Sequence, residues 1–215
     1  DGEISFDGGV TDRLQAMKDG TNALIDSLAS SGAEDVRITL IPFSTSATNL
    51  GTFDLIVDGV VNTAAVDAAK AAINSFDHDG WTNYEAAIQA TEDWITGGNG
   101  IPGADINKVV FVSDGSPTAS INNDSSISTH NNSNRAMDEL LGDYNPSGSS
   151  NDDFVNDVQA VLNTGYTINA IGINVGTTAI GYLSDVEDGI EGGGDGSAQN
   201  VTTAEQLAET LAVLG

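Results

Sequence analysis

The sequence predicts a three-layer α/β fold, in which a mostly parallel sheet is covered by helices on both faces. Segments with helical and strand periodicity alternate along the chain, as is typical of parallel sheets with crossover helices. The apolar runs at residues 108–113 and 166–175 are typical of buried central strands. The length of 215 residues suits one domain, and we predict a single domain over residues 1–215.

The elements follow in order from their patterns. Residues 11–31 carry apolar side chains at helical spacing, which predicts a first helix ending near Gly32. Residues 36–43 predict a strand that enters the core, and Phe53, Leu55 and Val57 alternate with polar residues as an antiparallel edge strand would. The remaining predicted elements are helices at 63–75 and 83–96, a strand at 108–113, a helix at 152–163, a strand at 166–175, and a last helix opened by a capping box at 202–205.

Two polar segments interrupt this alternation. Residues 116–150 are rich in Ser, Asn, Asp and Gly, with one brief helix-like patch at 135–141. Residues 189–198 are rich in glycine. Both are predicted to be loops, and long polar loops in compact domains are often functional.

Charge is the strongest compositional signal. Six Lys and Arg residues against 32 Asp and Glu residues give a net charge of −26. Such a surface repels phosphate backbones and anionic membranes, which argues against a nucleic-acid partner, and it suits divalent cations. No apolar run approaches the roughly 20 residues of a membrane span, so we expect no membrane insertion. We expect most of the charge to form the solvated acidic surface of a marine or salt-tolerant secreted protein.

The candidate site lies at the carboxyl ends of the predicted strands, where open α/β sheets bind ligands. Asp114 directly follows the apolar strand at 108–113, so its carboxylate is expected at this edge. Residues 44–46 follow another predicted strand there. The loop at residues 77–85, which leads into a helix, is positioned to meet Asp114.

Three segments in this order resemble the von Willebrand factor A family. Residues 80–88 contain a Gly-x-Thr-Asn segment that includes Thr82, and residues 108–115 form a strand ending in Asp-Gly at Asp114. Residues 166–173 are similar to a late buried strand of the same family. The acidity and the absence of cysteine are most similar to the version found in large bacterial surface adhesins of the RTX type.

The resemblance implies a Rossmann-like fold with a metal-ion-dependent adhesion site (MIDAS). In the family, an Asp-x-Ser-x-Ser loop, a Thr and an Asp hold a divalent cation, and an acidic residue of a protein partner completes its ligand shell. By resemblance, Thr82 takes the Thr role and Asp114 the Asp role. Mg²⁺ is the expected ion, with Ca²⁺ or Mn²⁺ as alternatives, because these cations prefer oxygen ligands. The expected location is extracellular or at a bacterial cell surface.

The sequence departs from the family at its beginning. No Asp-x-Ser-x-Ser precedes the first predicted helix, and residues 1–9 are too polar for a central strand, although Ile4 and Phe6 could form a short one. Because a missing central strand would leave buried backbone groups unpaired, at roughly 1–3 kcal/mol each, we expect the natural chain to continue upstream with that strand and loop.

Each candidate residue also has a purely structural interpretation. Residues 82–85 match a capping box, so Thr82 could be the cap of a helix and have no role as a metal ligand. Asp114 could begin an ordinary Asp-Gly turn. Trp81 could contact a partner or pack over the loop, and Asp77 and Asp79 are expected in a solvated loop.

The sequence is compatible with three functions. The first is a binding module with a cation site, the second a metal-free spacer of a long surface protein, and the third a metal-dependent phosphate hydrolase. His78 and His130 belong to no metal-spaced pair. The nucleophile-elbow, phosphate-loop and zinc-protease motifs are absent from the sequence, so we predict that the protein is not an enzyme.

Overall fold

The computed structural model describes residues 3–6, 9–77, 80–101, 103–121, 127–129, 153–188 and 198–214. In chain order the elements are β1 (Glu3–Phe6), β2 (Gly9–Asp12), α1 (Arg13–Ala29), β3 (Val36–Leu40), β4 (Gly51–Val57), β5 (Val60–Val61), α2 (Thr63–Ser75), α3 (Tyr84–Thr96), β6 (Lys108–Ser113), β7 (Ala119–Ile121), β8 (Ile127–Thr129), α4 (Asp153–Asn163), β9 (Thr167–Ile173), α5 (Thr177–Asp188), β10 (Gln199–Val201) and α6 (Ala204–Leu214).

The chain divides into two compact units. The first unit comprises residues 1–42, 49–78 and 201–215, and the second comprises residues 43–48 and 79–200. The predicted combination of helices, parallel strands and antiparallel strands is confirmed. No helix in the described part of the chain is long and apolar enough to cross a membrane.

The first unit is built on an antiparallel sheet in the order β3–β4–β5, with α2 packed against β4 and α1 packed against α2 and α6. Its core is aliphatic and contains Ile25, Leu40, Leu55, Val66, Ala69 and Ile73. The close approach of α1 and α6 depends on Gly20, because a Cβ there would lie 2.9 Å from Cγ of Leu207.

Three sequence predictions in the first unit need correction. The first helix begins at Arg13, because residues 9–12 form β2, which pairs with β1 in a hairpin. The predicted edge strand β4 lies between β3 and β5, and it buries Ile56 as well as Leu55 while Val57 is exposed. The last helix is capped one residue later than predicted, since the Thr203 hydroxyl accepts a hydrogen bond from the Gln206 amide.

The second unit contains the parallel pair predicted from the two apolar runs. β6 and β9 pair in parallel from Lys108 opposite Thr167 to Ser113 opposite Gly172, and β10 completes a three-stranded sheet on the other side of β9. Helices α3 and α4 pack together, and α5 packs on β9. The helices predicted at 83–96 and 152–163 are confirmed as α3 and α4, whereas α5 was not predicted.

The segment predicted as one long loop at 116–150 contains regular structure. β7 and β8 form an antiparallel hairpin with Ser120 opposite Ser128. The loop prediction is therefore wrong for these two strands. The helix-like patch at 135–141 and the glycine-rich residues 189–197 lie outside the described residues.

Candidate functional site

Thr82 and the Asp114 loop lie together in the second unit. Asp114 is exposed immediately after β6, and Thr82 is half-buried two residues before α3. A Cβ built on Gly115 would lie 4.0 Å from Oγ1 of Thr82, so the Thr82 hydroxyl faces the Asp114–Gly115 turn. The Tyr84 hydroxyl donates a hydrogen bond of 2.6 Å to the Gly115 carbonyl. The structure thus brings the two predicted ligand-bearing segments together, while metal ligation itself stays a prediction.

The backbone of Thr82 is held on both sides by one neighbouring segment. Its N–H donates to Oγ1 of Thr118 at 3.0 Å, and its carbonyl accepts from the N–H groups of Thr118 and Ala119 at 2.8 and 3.0 Å. The Thr82 hydroxyl makes no hydrogen bond with any described residue. Backbone contacts therefore fix the position of Thr82 and leave its side-chain oxygen available as a ligand.

Asn83, and not Thr82, caps α3. Its Oδ1 accepts a hydrogen bond from the Ala86 N–H at 3.1 Å, so the capping interpretation of Thr82 is wrong. Asn83 is fully buried, and its remaining groups bind a second segment: the N–H donates to the Ser44 carbonyl at 2.9 Å and Nδ2 donates to the Thr45 carbonyl at 3.1 Å. One residue thus ends the loop, starts the helix and, through its backbone and its side chain, holds residues 44–45.

Gly80 is required by its backbone conformation and by a close contact. Its φ is +101°, a region that side chains disfavour. A Cβ there would lie 2.1 Å from the Thr45 hydroxyl oxygen, which accepts a hydrogen bond of 2.8 Å from the Trp81 N–H. Trp81 itself is 39% exposed beside this contact. The glycine of the Gly-x-Thr-Asn segment therefore lets two loops touch.

Three aromatic rings join the segments that carry these loops. Phe43 and Phe111 have ring centroids 5.2 Å apart, and Tyr84 lies 6.2 Å from Phe43 and 5.0 Å from Phe111 in edge-on contacts. Such pairs stabilise beyond the area that they bury. Sequence reasoning missed this cluster, although each ring lies within two residues of a polar segment named as part of the site: Phe43 beside Ser44, Tyr84 beside Asn83, and Phe111 near Ser113.

Tyr84 stays protonated in this cluster. Burial raises the pKa of its hydroxyl well above the usual range, and the negative charge of Asp114 raises the pKa further, whereas a hydrogen bond with Ser113 lowers it. The Ser113 hydroxyl also donates to the Gly115 carbonyl at 3.1 Å. A neutral phenol can donate a hydrogen bond, so Tyr84 and Ser113 together fix the turn that carries Asp114.

Glu85 is a second buried group that sequence reasoning missed. It is 3% exposed, and its carboxylate accepts a 2.5 Å hydrogen bond from the Ile121 N–H at the end of β7. Asp77 is exposed in the first unit, while His78, Asp79 and His130 lie outside the described residues. Across the described ranges, no group of three or more His, Cys, Asp and Glu side chains could hold a metal ion.

No protein-family model matches the sequence, and no curated protein matches it. Solved structures do match, among them the following three, each of which covers at least 94% of this chain. The pilus adhesin SpaC of Lactobacillus rhamnosus GG aligns with a TM-score of 0.65 at 12% identity, over 95% of this chain and 28% of that one. A von Willebrand factor type A structure from Catenulispora acidiphila aligns with a TM-score of 0.58 at 15% identity, over 94% and 37%.

The third structure contains a metal. Proximal thread matrix protein 1 of the mussel byssus, with a zinc-occupied MIDAS motif, aligns with a TM-score of 0.54 at 14% identity, over 94% of this chain and 41% of that one. The chain spans less than half the length of each of these three proteins. The parallel β6–β9 pair, the alternation of helices and strands and these three likenesses show that the chain has the fold of a von Willebrand factor A domain.

Proposed function

We propose that this chain is an adhesion module that binds an acidic residue of a protein partner through a divalent cation held by Thr82 and Asp114. The observation that carries the proposal is the Thr82 hydroxyl, which faces the Asp114–Gly115 turn and makes no hydrogen bond with the described residues. A hydroxyl and a carboxylate are oxygen ligands, which Mg²⁺, Ca²⁺ and Mn²⁺ prefer.

The charge of these two ligands fits the capture of an anion. Thr82 is neutral, so Asp114 would be the single carboxylate of the pair, and a divalent cation held by them would keep a net positive charge. Mg²⁺ also retains open positions for water or for an incoming carboxylate. A chain with a net charge of −26 repels an acidic partner over most of its surface, and a bound cation would reverse the sign of the potential at this one place.

The likenesses support adhesion over catalysis. One of the three similar structures is a pilus adhesin and another is a thread matrix protein whose MIDAS motif holds zinc. By analogy with them, we propose an extracellular or cell-surface location, in a bacterium, and no enzymatic role. Fold-level analogy is weaker support than site geometry, so the experiment addresses the site.

A metal titration tests the proposal. Mg²⁺, Mn²⁺, Ca²⁺ and Zn²⁺ are added separately to the protein while its melting temperature is followed. A ligand that binds only the folded state stabilises it by about 2.7 kcal/mol at a concentration 100 times its Kd. We expect a concentration-dependent rise in melting temperature with at least one ion, and we expect Thr82→Ala and Asp114→Ala each to weaken ion affinity by roughly tenfold or more.

Two matched variants serve as controls. Asp105→Ala removes another exposed carboxylate, just before the opposite end of β6, and Thr178→Ala removes another exposed hydroxyl, in α5. Both should leave the ion effect unchanged. Stabilisation that persists in the double variant T82A/D114A would assign the ion to other residues. No stabilisation by any of the four ions would instead favour the metal-free spacer.

A further inference from the structure

A groove of about 270 Å³ lies beside α3 in the second unit, and the proposed cation ligands are not among its lining residues. Its floor is apolar: Ala86 and Ala90 come from α3, Ala47 from the adjoining loop, and Ile121 and Ile127 from the β7–β8 hairpin. Ile127 is 43% exposed there. Five small or aliphatic side chains from three separate segments thus form one apolar surface that is open to solvent.

The rim of the groove is polar. Ser46, Gln89 and Asp93 line it, and none of these three side chains makes a hydrogen bond or an ion pair with another described residue. Gln89 and Asp93 are four residues apart on α3, so they lie on the same helix face, about 6 Å from each other. The groove therefore offers an apolar floor beside one carboxylate that has no cationic partner in the described part of the chain.

The groove is small, at about 270 Å³. Pockets for cofactors and drug-sized molecules hold roughly 300–1,000 Å³, and this groove is smaller. It is suited to one or two side chains of a partner protein, presented by a backbone that stays outside.

We propose that this groove binds an extended protein segment through an aliphatic side chain and, two positions along, a Lys or Arg side chain. The aliphatic side chain lies over Ala86 and Ala90, and the cation pairs with Asp93. Ala90 and Asp93 are separated by about 4.5 Å of helix rise, and residues two apart in an extended strand lie about 6.7 Å apart on one face, which a long basic side chain spans readily.

Charge complementarity supports a basic partner segment. The chain has 32 acidic and only six basic residues, so a cation gains from the field of the whole molecule as well as from Asp93. Because neither Thr82 nor Asp114 lines the groove, this binding requires no metal ion. The peptide groove is thus a second site in addition to the proposed cation site. A chelator should abolish ion binding and leave peptide binding unchanged.

A displayed library of random seven-residue peptides, selected on the protein in EDTA, tests the inference. We expect enrichment of an aliphatic residue followed two positions later by Lys or Arg. Synthetic versions of the enriched peptides then give Kd values by fluorescence anisotropy. Ala90→Leu should weaken binding by roughly tenfold or more, because it fills the floor. Asp93→Asn should weaken it by about two- to fivefold, the size expected of an exposed ion pair.

Three further variants keep the result interpretable. Asp67→Asn removes an exposed carboxylate in the first unit and should leave Kd unchanged. Gln89→Trp covers the groove from an exposed position, which is the substitute if Ala90→Leu does not fold. Asp93→Lys should transfer preference to peptides that carry Glu in place of the basic residue.

Several outcomes would overturn the proposal. These are no enriched pattern, enriched peptides that bind Q89W and A90L as well as the unmodified protein, or a pattern that keeps its basic residue with D93K. A dimer in sedimentation equilibrium that Q89W dissociates would show that a second copy of the chain occupies the groove, and it would also contradict the proposal. Peptide binding in EDTA without any metal effect would overturn the cation site alone.

Discussion

The two compact units differ in what they bury. In the first unit the buried residues of the described part of the chain are apolar, and the core is aliphatic. In the second unit the described residues also bury polar side chains, namely Asn83, Glu85, Ser113, Ser120, Ser184 and Asp185. Burying a polar group costs free energy unless it is hydrogen-bonded. In the second unit buried polar side chains hold loops, whereas in the first unit the Asp35 carboxylate, which accepts a hydrogen bond from the Asp58 N–H, is exposed.

Two asparagine caps make the difference concrete. Asn62 caps α2 in the first unit from an exposed position, and its side chain accepts only from the Ala65 N–H. Asn83 caps α3 with the same kind of hydrogen bond, but it is buried and also binds the backbone of residues 44 and 45. The same residue type therefore has a local role in one unit and a connecting role in the other.

The largest expected effect lies in the aliphatic core. Leu55→Ala removes a fully buried side chain of the first unit, and such changes cost about 2–5 kcal/mol of the free energy of unfolding. Urea unfolding measures the loss, and Val57→Ala, at an exposed position of the same strand, should cost far less. Ion and peptide affinities of the folded L55A protein should not change. A large change in either affinity would contradict the assignment of binding to the second unit.

The second-largest expected effect is a difference in the free energy of unfolding between variants of the two asparagine caps. Asn62→Ala removes one capping bond and should cost about 1 kcal/mol. Asn83→Ala removes a capping bond and also the bond from Nδ2 to the Thr45 carbonyl, while the backbone bond to Ser44 remains, so it should cost about 2–3 kcal/mol in all. Urea unfolding of both variants gives the comparison. Equal losses would mean that the bond from Nδ2 of Asn83 to the Thr45 carbonyl contributes nothing to stability.

The smallest effect concerns Tyr84. Tyr84→Phe keeps the ring but removes the hydrogen bond to the Gly115 carbonyl, and it should cost about 1 kcal/mol at neutral pH. Because the folded protein raises the pKa of Tyr84, the unfolded chain releases this proton more readily. The stability associated with Tyr84 is therefore fully present below its unfolded pKa of about 10 and is lost as pH rises above it.

Unfolding between pH 8 and pH 11.5 measures this dependence. The unmodified protein should lose stability more steeply above pH 10 than Y84F does. Parallel curves would mean that Tyr84 ionises as easily in the folded protein as in the unfolded chain.

Sequence periodicity located most of the helices and strands, because their apolar residues recur at the spacing that each type of element requires. The helix at 63–75 and the strand at 108–113 were predicted with the bounds that the structure gives them. α5 was missed because its buried stretch, Leu183 to Val186, includes Ser184 and Asp185, which break the apolar periodicity. The β7–β8 hairpin was missed because its composition is that of a loop, whereas its first strand is held from outside by the Glu85 carboxylate.

By itself, the sequence determined the α/β class, the meeting of Thr82 with the Asp114 loop and the acidic character of the surface, because periodicity, strand ends and charge are local properties. Only the tertiary structure decided that Asn83 caps α3 in place of Thr82, that three aromatic rings join the loops, and that a groove opens beside Asp93. The ring cluster and the groove depend on which segments come into contact after folding, whereas the cap is a local bond that falls on Asn83, one residue beyond the start of the capping-box pattern. A hydrogen-bond partner or a ring neighbour more than 20 residues away leaves no periodic trace in the chain.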